Sequence, residues 1–231
     1  NMLMNTYMID VAFQYRVEKM IFFSSMCIFP TGHTIMDEKY IQDGMISSNN
    51  FAHGYAKRMA DIQIQAYQQQ YKINNYCSII PGGIFGPNDT YDIEYGRVIP
   101  SLIYKTYLAK HDKSKKLSVW GDGTTKHDFI YVDDLTHIVY QLLQLDNVPP
   151  RIIVSSNKQH TIKDIVNHLR KISNLDSETC WDTTKPHGKN ICPSNTSLLK
   201  SLLPDFKFTD INEALKLSYD WFVENYPNVR K

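Results

Sequence analysis

The sequence predicts an α/β protein built on a doubly wound parallel sheet, and three observations carry that expectation. Met20-Ile21-Phe22-Phe23 is a short, continuously apolar run, the pattern of a strand covered on both faces, and Tyr76-Cys77-Ser78-Ile79-Ile80 reads as a second strand. Longer helical patterns separate these runs, and strands alternating with helices argue for parallel pairing through crossovers. With 231 residues, 42% of them hydrophobic, the chain is long enough to bury a sizeable core, as one large domain or a domain with a lobe.

Taken in order, residues 2–16 read as a helix, free of Gly and Pro, and 19–23 as the first strand. Residues 52–72, rich in Ala and Gln, read as a long helix, since such unbranched side chains lose little freedom there. A strand over 76–80 stops at Pro81-Gly82-Gly83, where proline removes a backbone donor. A helix near 98–110, a strand at 128–132, a helix at 134–145 and a strand at 151–154 continue the alternation, and helices near 161–173 and 209–226 close it. No internal repeat or low-complexity linker interrupts the series.

Twenty-five basic and 24 acidic side chains leave a formal charge of +1, and the longest basic cluster is Lys113-Ser114-Lys115-Lys116. Nucleic acid and membrane surfaces are therefore not the expected partners. No apolar run approaches the roughly 18 residues of a spanning helix, and Asn1-Met2-Leu3-Met4-Asn5 is not a signal peptide, so a cytoplasmic protein is expected. Cys27, Cys77, Cys180 and Cys192 lack C-x-x-C spacing and disulfide-scaffold density; free thiols and no metal are expected.

Candidate chemistry clusters between Ser24 and Lys57. Ser25 follows the Phe22-Phe23 strand, at the carboxyl end where open α/β sheets place ligands, although a serine at a strand-to-loop junction is also commonplace. Cys27 reads as a thiolate base or, equally, as a small buried hydrophobe; an ordinary thiol pKa of about 8.5 leaves it mostly protonated at neutral pH. His53 and Lys57 are four residues apart on a predicted helix and share a face. A tyrosine in place of His53 would have its phenol acidified by Lys57 and would pass a proton to a substrate oxygen. For His53 itself, the same ammonium is expected to disfavour the imidazolium. Tyr55, two positions on, faces elsewhere.

Seven segments in order, Asn1-Met2-Leu3-Met4-Asn5, Ser25-Met26-Cys27-Ile28-Phe29-Pro30, Tyr55-Ala56-Lys57-Arg58-Met59, Ile84-Phe85-Gly86-Pro87-Asn88-Asp89, Val119-Trp120-Gly121-Asp122-Gly123, Phe129-Ile130-Tyr131 and Asp182-Thr183-Thr184-Lys185, resemble the GDP-L-fucose synthases of the extended short-chain dehydrogenase superfamily. The resemblance runs from Asn1 to Lys231. It implies a truncated Rossmann-type sheet, over 1–86 and 128–156, with a smaller C-terminal substrate lobe over 87–127 and 157–231. It implies NADP as cofactor, a GDP-sugar substrate, a homodimer, and the epimerisation and reduction of GDP-4-keto-6-deoxy-mannose. Ser25 matches the serine that binds the 4-keto oxygen, Cys27 the epimerisation base, and Lys57 the lysine on the nicotinamide ribose. His53 stands at the family's tyrosine and Arg97 at its histidine, the acid partner of the cysteine. Phe23, Ser24, Ser25, Met26, Lys57, Pro81, Gly82, Gly83, Ile84 and Arg97 fall on cofactor-binding positions; Lys105, Trp120, His127 and His187 fall on substrate-binding ones.

Departures accompany the matches. Arginine stays protonated and is no general acid near neutral pH, so Arg97 is expected to harm epimerisation most. Gly82-Gly83 replaces Thr-Asn, His127 an arginine and His187 an aspartate of the family pattern. The resemblance begins inside the family's sequence, after its G-x-x-G-x-x-G pyrophosphate turn, and Gly82-Gly83 and Gly121-Asp122-Gly123 follow the wrong elements to replace it. A fragment, poor at binding NADP and with Met20–Phe23 at an exposed sheet edge, is the expectation. Two classes of function follow: an impaired epimerase/reductase, or a non-catalytic remnant that binds a nucleotide sugar or a partner subunit. A 4-epimerase or dehydratase is disfavoured by the cysteine.

Overall fold

The computed structural model describes residues 1–112, 116–185, 188 and 190–231; His187 and the basic cluster at 113–115 lie outside the described residues. In chain order the elements are α1 (Met2–Gln14), β1 (Met20–Phe23), α2 (Phe51–Tyr71), β2 (Tyr76–Pro81), β3 (Gly83–Phe85), α3 (Val98–His111), β4 (Leu117–Trp120) and β5 (Lys126–Tyr131). There follow α4 (Val132–Gln144), β6 (Arg151–Val154), β7 (Gln159–Thr161), α5 (Ile162–Ser173), β8 (Thr179–Asp182), α6 (Ser197–Leu202) and α7 (Ile211–Asn225). Three short 3-10 turns, at Met26–Ile28, Glu38–Tyr40 and Ser48–Asn50, lie between β1 and α2. Every helix and strand anticipated from the sequence is present. The additional β3, β4, β7, β8 and α6 have three to six residues each, too few for an apolar period to show.

The chain divides into two compact units, Asn1–Gly82 with Leu135–Asn157 and Cys192–Phe206, and Gly83–Asp134 with Lys158–Ile191 and Lys207–Lys231. In the first, β1, β2 and β6 form a parallel sheet in the order β1-β2-β6. All six residues of β2 are buried, because it is paired on both sides and covered on both faces, which suits its mostly apolar sequence. β1 is paired on one side only, and Phe23 is 43% exposed.

Helix α2 carries a buried stripe of Gly54, Ala56, Arg58, Ala60, Asp61 and Ile64. Ala60 and Ile64 pack with Ile9, Ala12, Phe22 and Tyr76, joining α1 and α2 to the sheet. Both charged members of the stripe are paired, although one Asp61 carboxylate oxygen is buried without a hydrogen-bond partner. The Arg58 guanidinium donates to the Ile28 carbonyl (2.9 and 2.6 Å) and the Gly44 carbonyl (2.7 Å). Asp61, its side chain 0% exposed, pairs with Arg151 of β6 at 3.2 Å. Burial raises the Asp61 pKa, and the neighbouring Arg151 charge opposes that rise.

In the second unit β5 lies between β3, parallel, and β7, antiparallel, while β4 and β8 form a parallel pair. The expectation that the 128–132 strand runs in one sheet with 20–23, 76–80 and 151–154 is corrected here. β2 pairing ends where the Gly82 N–H donates to the Val154 carbonyl (3.0 Å), and the chain resumes at Gly83 as β3, which takes β5 as its partner. A core of Phe85, Ile103, Val119, Ile165, Leu169 and Phe222 joins these strands to α3, α5 and α7. α5 starts on a capping box, Thr161 and Asp164 each bonding the other's backbone N–H, which satisfies donors the first turn leaves orphaned.

Candidate active site

The first unit holds Ser25, Cys27, His53 and Lys57, all placed by the junction of β1 and α2. The Lys57 ammonium donates to the Phe23 carbonyl at 2.6 Å and lies 4.7 Å from the centre of the Phe22 ring, at the carboxyl end of β1. Burial lowers the Lys57 pKa, because a partly desolvated ammonium loses hydration that the carbonyl only partly replaces. Ser24 donates its N–H to Ile79 (2.8 Å), while its buried hydroxyl has no protein partner. Ser25 caps the turn Met26–Ile28: its hydroxyl oxygen accepts the Cys27 N–H at 3.2 Å, leaving the hydroxyl proton to be donated elsewhere.

Cys27 is a half-buried free thiol and Met26 packs against the cluster of Ile28, Phe29, Ile41, Ile80 and Ile153. His53 is exposed in the first turn of α2. Tyr55 is engaged elsewhere, its ring 4.9 Å from that of Phe51 and 5.5 Å from the Arg58 guanidinium. Pro81 is paired with Val154, and Gly82 follows it.

Two residues decisive for this geometry have no role in the sequence reading. Gly54 lets α2 lie on the Met26–Ile28 turn: a Cβ there would meet the Cys27 carbonyl oxygen at 2.5 Å and Ile46 Cγ2 at 2.8 Å. Arg58 ties the same turn down through Ile28. A buried Arg and a mid-helix Gly are weak sequence signals, because both types also occur on solvent-facing helix positions.

A ribose and nicotinamide find suitable groups in this unit. Lys57 supplies a donor at the strand end, and the orphaned Ser24 hydroxyl is a buried polar group in want of a partner. No G-x-x-G-x-x-G turn occurs in residues 1–231 to seat a pyrophosphate.

The second unit holds Arg97, Lys105, Trp120 and His127, together with Gly83 and Ile84. A cleft of about 200 Å³ is lined by Gly83, Ile84, Arg97 and His127 and backed by Phe85 and Phe129. Arg97 is the N-cap of α3, and its charge, with that of Arg230, partly offsets the burial that raises the Asp89 pKa. A second cavity, of about 280 Å³, has Leu102, Val119 and Ile162 among its apolar lining and Lys105, Trp120 and His127 among its polar and aromatic lining. The Lys105 ammonium sits 5.4 Å from the centre of the Trp120 ring, and burial lowers its pKa. Burial also lowers the His127 pKa, so this imidazole is neutral at neutral pH and offers a hydrogen bond in place of an arginine's charge. Among the described residues no group of three or more His, Cys, Asp or Glu side chains could hold a metal ion.

The sequence model of the NAD dependent epimerase/dehydratase family matches residues 1–155. A probable GDP-L-fucose synthase of Drosophila melanogaster is 33% identical, over 100% of this chain and 74% of that protein. GDP-L-fucose synthase of Dictyostelium discoideum is 35% identical, over 94% of this chain and 68% of its own length. The crystal structure of a GDP-L-fucose synthetase from Naegleria fowleri bound to NADP superposes with a TM-score of 0.91 at 26% identity, covering 99% of this chain and 70% of that one.

Proposed function

This chain belongs to the GDP-L-fucose synthases of the NAD-dependent epimerase/dehydratase family, and from that premise we propose that its residues serve the 3,5-epimerisation and 4-reduction of GDP-4-keto-6-deoxy-mannose, with both proton-transfer steps impaired. The cofactor is NADP by family membership; when bound, its reduced form supplies the hydride for the ketone carbon. The observation that carries the reading is the convergence of the Ser25 hydroxyl, the Cys27 turn and the Lys57 ammonium at the carboxyl end of β1. That is where an open α/β sheet binds its ligand.

In this reading Ser25 donates to the 4-keto oxygen, which acidifies the two carbons beside the ketone. The Cys27 thiolate removes a proton from each of them in turn. Return of a proton to the opposite face needs an acid that can release one, and a guanidinium at Arg97 does not. Epimerisation is therefore the more damaged step. Reduction leaves an alkoxide at the former ketone oxygen. His53 replaces the phenol that would protonate it. Lys57 and Ser24 hold the nicotinamide ribose, with the backbone from Pro81 to Ile84 beside it. The GDP-sugar occupies the cavity of Lys105, Trp120 and His127. In this reading the first compact unit is the dinucleotide-binding part and the second the substrate lobe, so residues 83–86 and 128–134, expected in the former, fall in the latter.

A binding role without catalysis is the second reading, and one surface favours a second copy of the chain as partner. Leu3 (70% exposed), Met4, Tyr7, Met8 and Tyr15 (79%) on and just beyond α1, with Phe51, Met59 and Ile62 on α2, are large apolar side chains left exposed on two helices that pack together, the composition of an interaction surface. The proposed form is a cytoplasmic homodimer. No helix among the described residues is long and apolar enough to cross a membrane.

The test follows NADPH oxidation with GDP-4-keto-6-deoxy-mannose, alongside deuterium exchange from solvent at the sugar carbons. Both are expected far below ordinary enzymatic rates, exchange the lower of the two. Ordinary rates for both would refute the impaired-site reading. Calorimetry is expected to give an NADPH constant weaker than micromolar, about −8 kcal/mol.

A further inference from the structure

Asp182-Thr183-Thr184-Lys185 has no task in the proposed function, yet the fold delivers its last residue to the ring of Trp120, which lines the nucleotide cavity. Strands β4 and β8 run parallel with Trp120 opposite Asp182, and the Gly121 N–H donates to the Asp182 carbonyl at 2.8 Å. Beyond β8 the chain turns on Asp182, whose carboxylate accepts the Thr184 N–H (3.1 Å) and the Thr184 hydroxyl (2.6 Å). Those two bonds hold the Asp182 pKa below the usual carboxylate range, with the Lys185 charge a smaller influence.

The turn brings the Lys185 ammonium to 5.6 Å from the centre of the Trp120 ring, the same ring that carries Lys105 at 5.4 Å. The two ammonium groups are therefore no more than 11.0 Å apart, the sum of those distances. Trp120 is 44% exposed and lines the cavity together with Lys105, and Lys185 is itself exposed, so the ring and its two cations are open to a ligand and not sealed in a filled core. Gly123 fixes the turn behind Trp120: its φ is +80°, and a Cβ would meet the Trp181 ring at 2.5 Å.

Two like charges drawn to one indole repel each other, and Lys105 is already penalised by burial. A doubly charged anion between them relieves both costs, and ammonium groups pair with phosphates as compact point charges.

We propose that Lys185 is a substrate-binding residue, the second cation that, with Lys105 across Trp120, holds the diphosphate of the nucleotide sugar. The proposal rests on the reading of this cavity as the GDP-sugar site.

The experiment is isothermal titration of GDP and of inorganic pyrophosphate into the 231-residue chain and its variants, at low and at physiological salt. Lys185→Met is expected to weaken both ligands about tenfold, as for loss of one charge-assisted contact. Lys185→Arg, which keeps the charge, is expected to restore most of the affinity. The salt dependence of GDP binding should be shallower in Lys185→Met, because one screened ion pair is gone. Unchanged GDP binding by Lys185→Met, with wild-type binding intact, overturns the role of Lys185 alone. Failure of the wild-type chain to bind GDP at millimolar concentration overturns the assignment of the cavity and this inference with it. Lys185 is exposed on a turn, so thermal melts of the variants are expected to match the wild type and to separate binding from folding.

Discussion

Gly54→Ala is the substitution whose consequence the structure fixes most closely. An added Cβ would stand 2.5 Å from the Cys27 carbonyl oxygen, against an ordinary contact of 3.4 Å, so helix and turn must part by about 0.9 Å. Neither side yields easily. The oxygen is backbone, its turn is pinned by Arg58 through Ile28, and Ile46 closes a second side at 2.8 Å. Overpacking of this kind costs about 1–3 kcal/mol, while replacing a mid-helix glycine by alanine returns about 1 kcal/mol of helix propensity. Because neither side yields, the upper part of that range (about 2–3 kcal/mol) applies, and a net loss of about 1–2 kcal/mol is expected. For a protein of this size that is a fall in melting temperature of about 2–8 °C. The assay is urea unfolding followed by circular dichroism, together with a thermal melt; the urea midpoint should fall at an unchanged slope. The same displacement separates Cys27 from His53 and Lys57, and misplacement by about 1 Å costs on the order of 10²-fold in rate where chemistry is measurable. A Gly54→Ala protein as stable as the parent, or more so, would show that α2 does not rest on the Cys27 carbonyl.

Three further outcomes follow from other contacts. Asp61→Ala strands Arg151 beside α2 without its partner and is expected to cost about 3–5 kcal/mol in urea unfolding, whereas a loss under 1 kcal/mol would contradict a buried pair. His127 and His160 both have pKa values lowered by burial, so the unfolded chain binds more protons than the folded one just below pH 6.5. Their contribution is complete above that pH and falls as the pH drops; melting temperatures from pH 8 to 5 test this, and replacing both by Gln should flatten the profile. In a chain extended by an N-terminal half that carries the pyrophosphate turn, His53→Tyr is expected to raise ketone reduction, by about 10²-fold if a positioned acid is regained, while solvent deuterium exchange recovers only when Arg97→His is added. Recovery of exchange by His53→Tyr alone would dissociate Arg97 from epimerisation.

The sequence by itself determined the class of fold, the major elements and the family, because each rests on local information. The apolar-rich runs of β1 and β2 mark strands, although only β2 is buried throughout, and several motif segments in fixed order carry the resemblance. Candidate residues such as Ser25, Lys57 and Trp120 were legible for the same reason. Tertiary structure decided what depends on distance between remote segments. That β5 takes β3 as its partner depends on where Gly82 ends the β2 ladder, and the shortest strands have too few residues to print a period. Gly54 and Arg58 acquire meaning only once α2 lies on the Cys27 turn, and Lys185 only once β4 and β8 set their ends side by side. Close approach and shared solvent exclusion are properties of the packed chain, so no spacing along it records them.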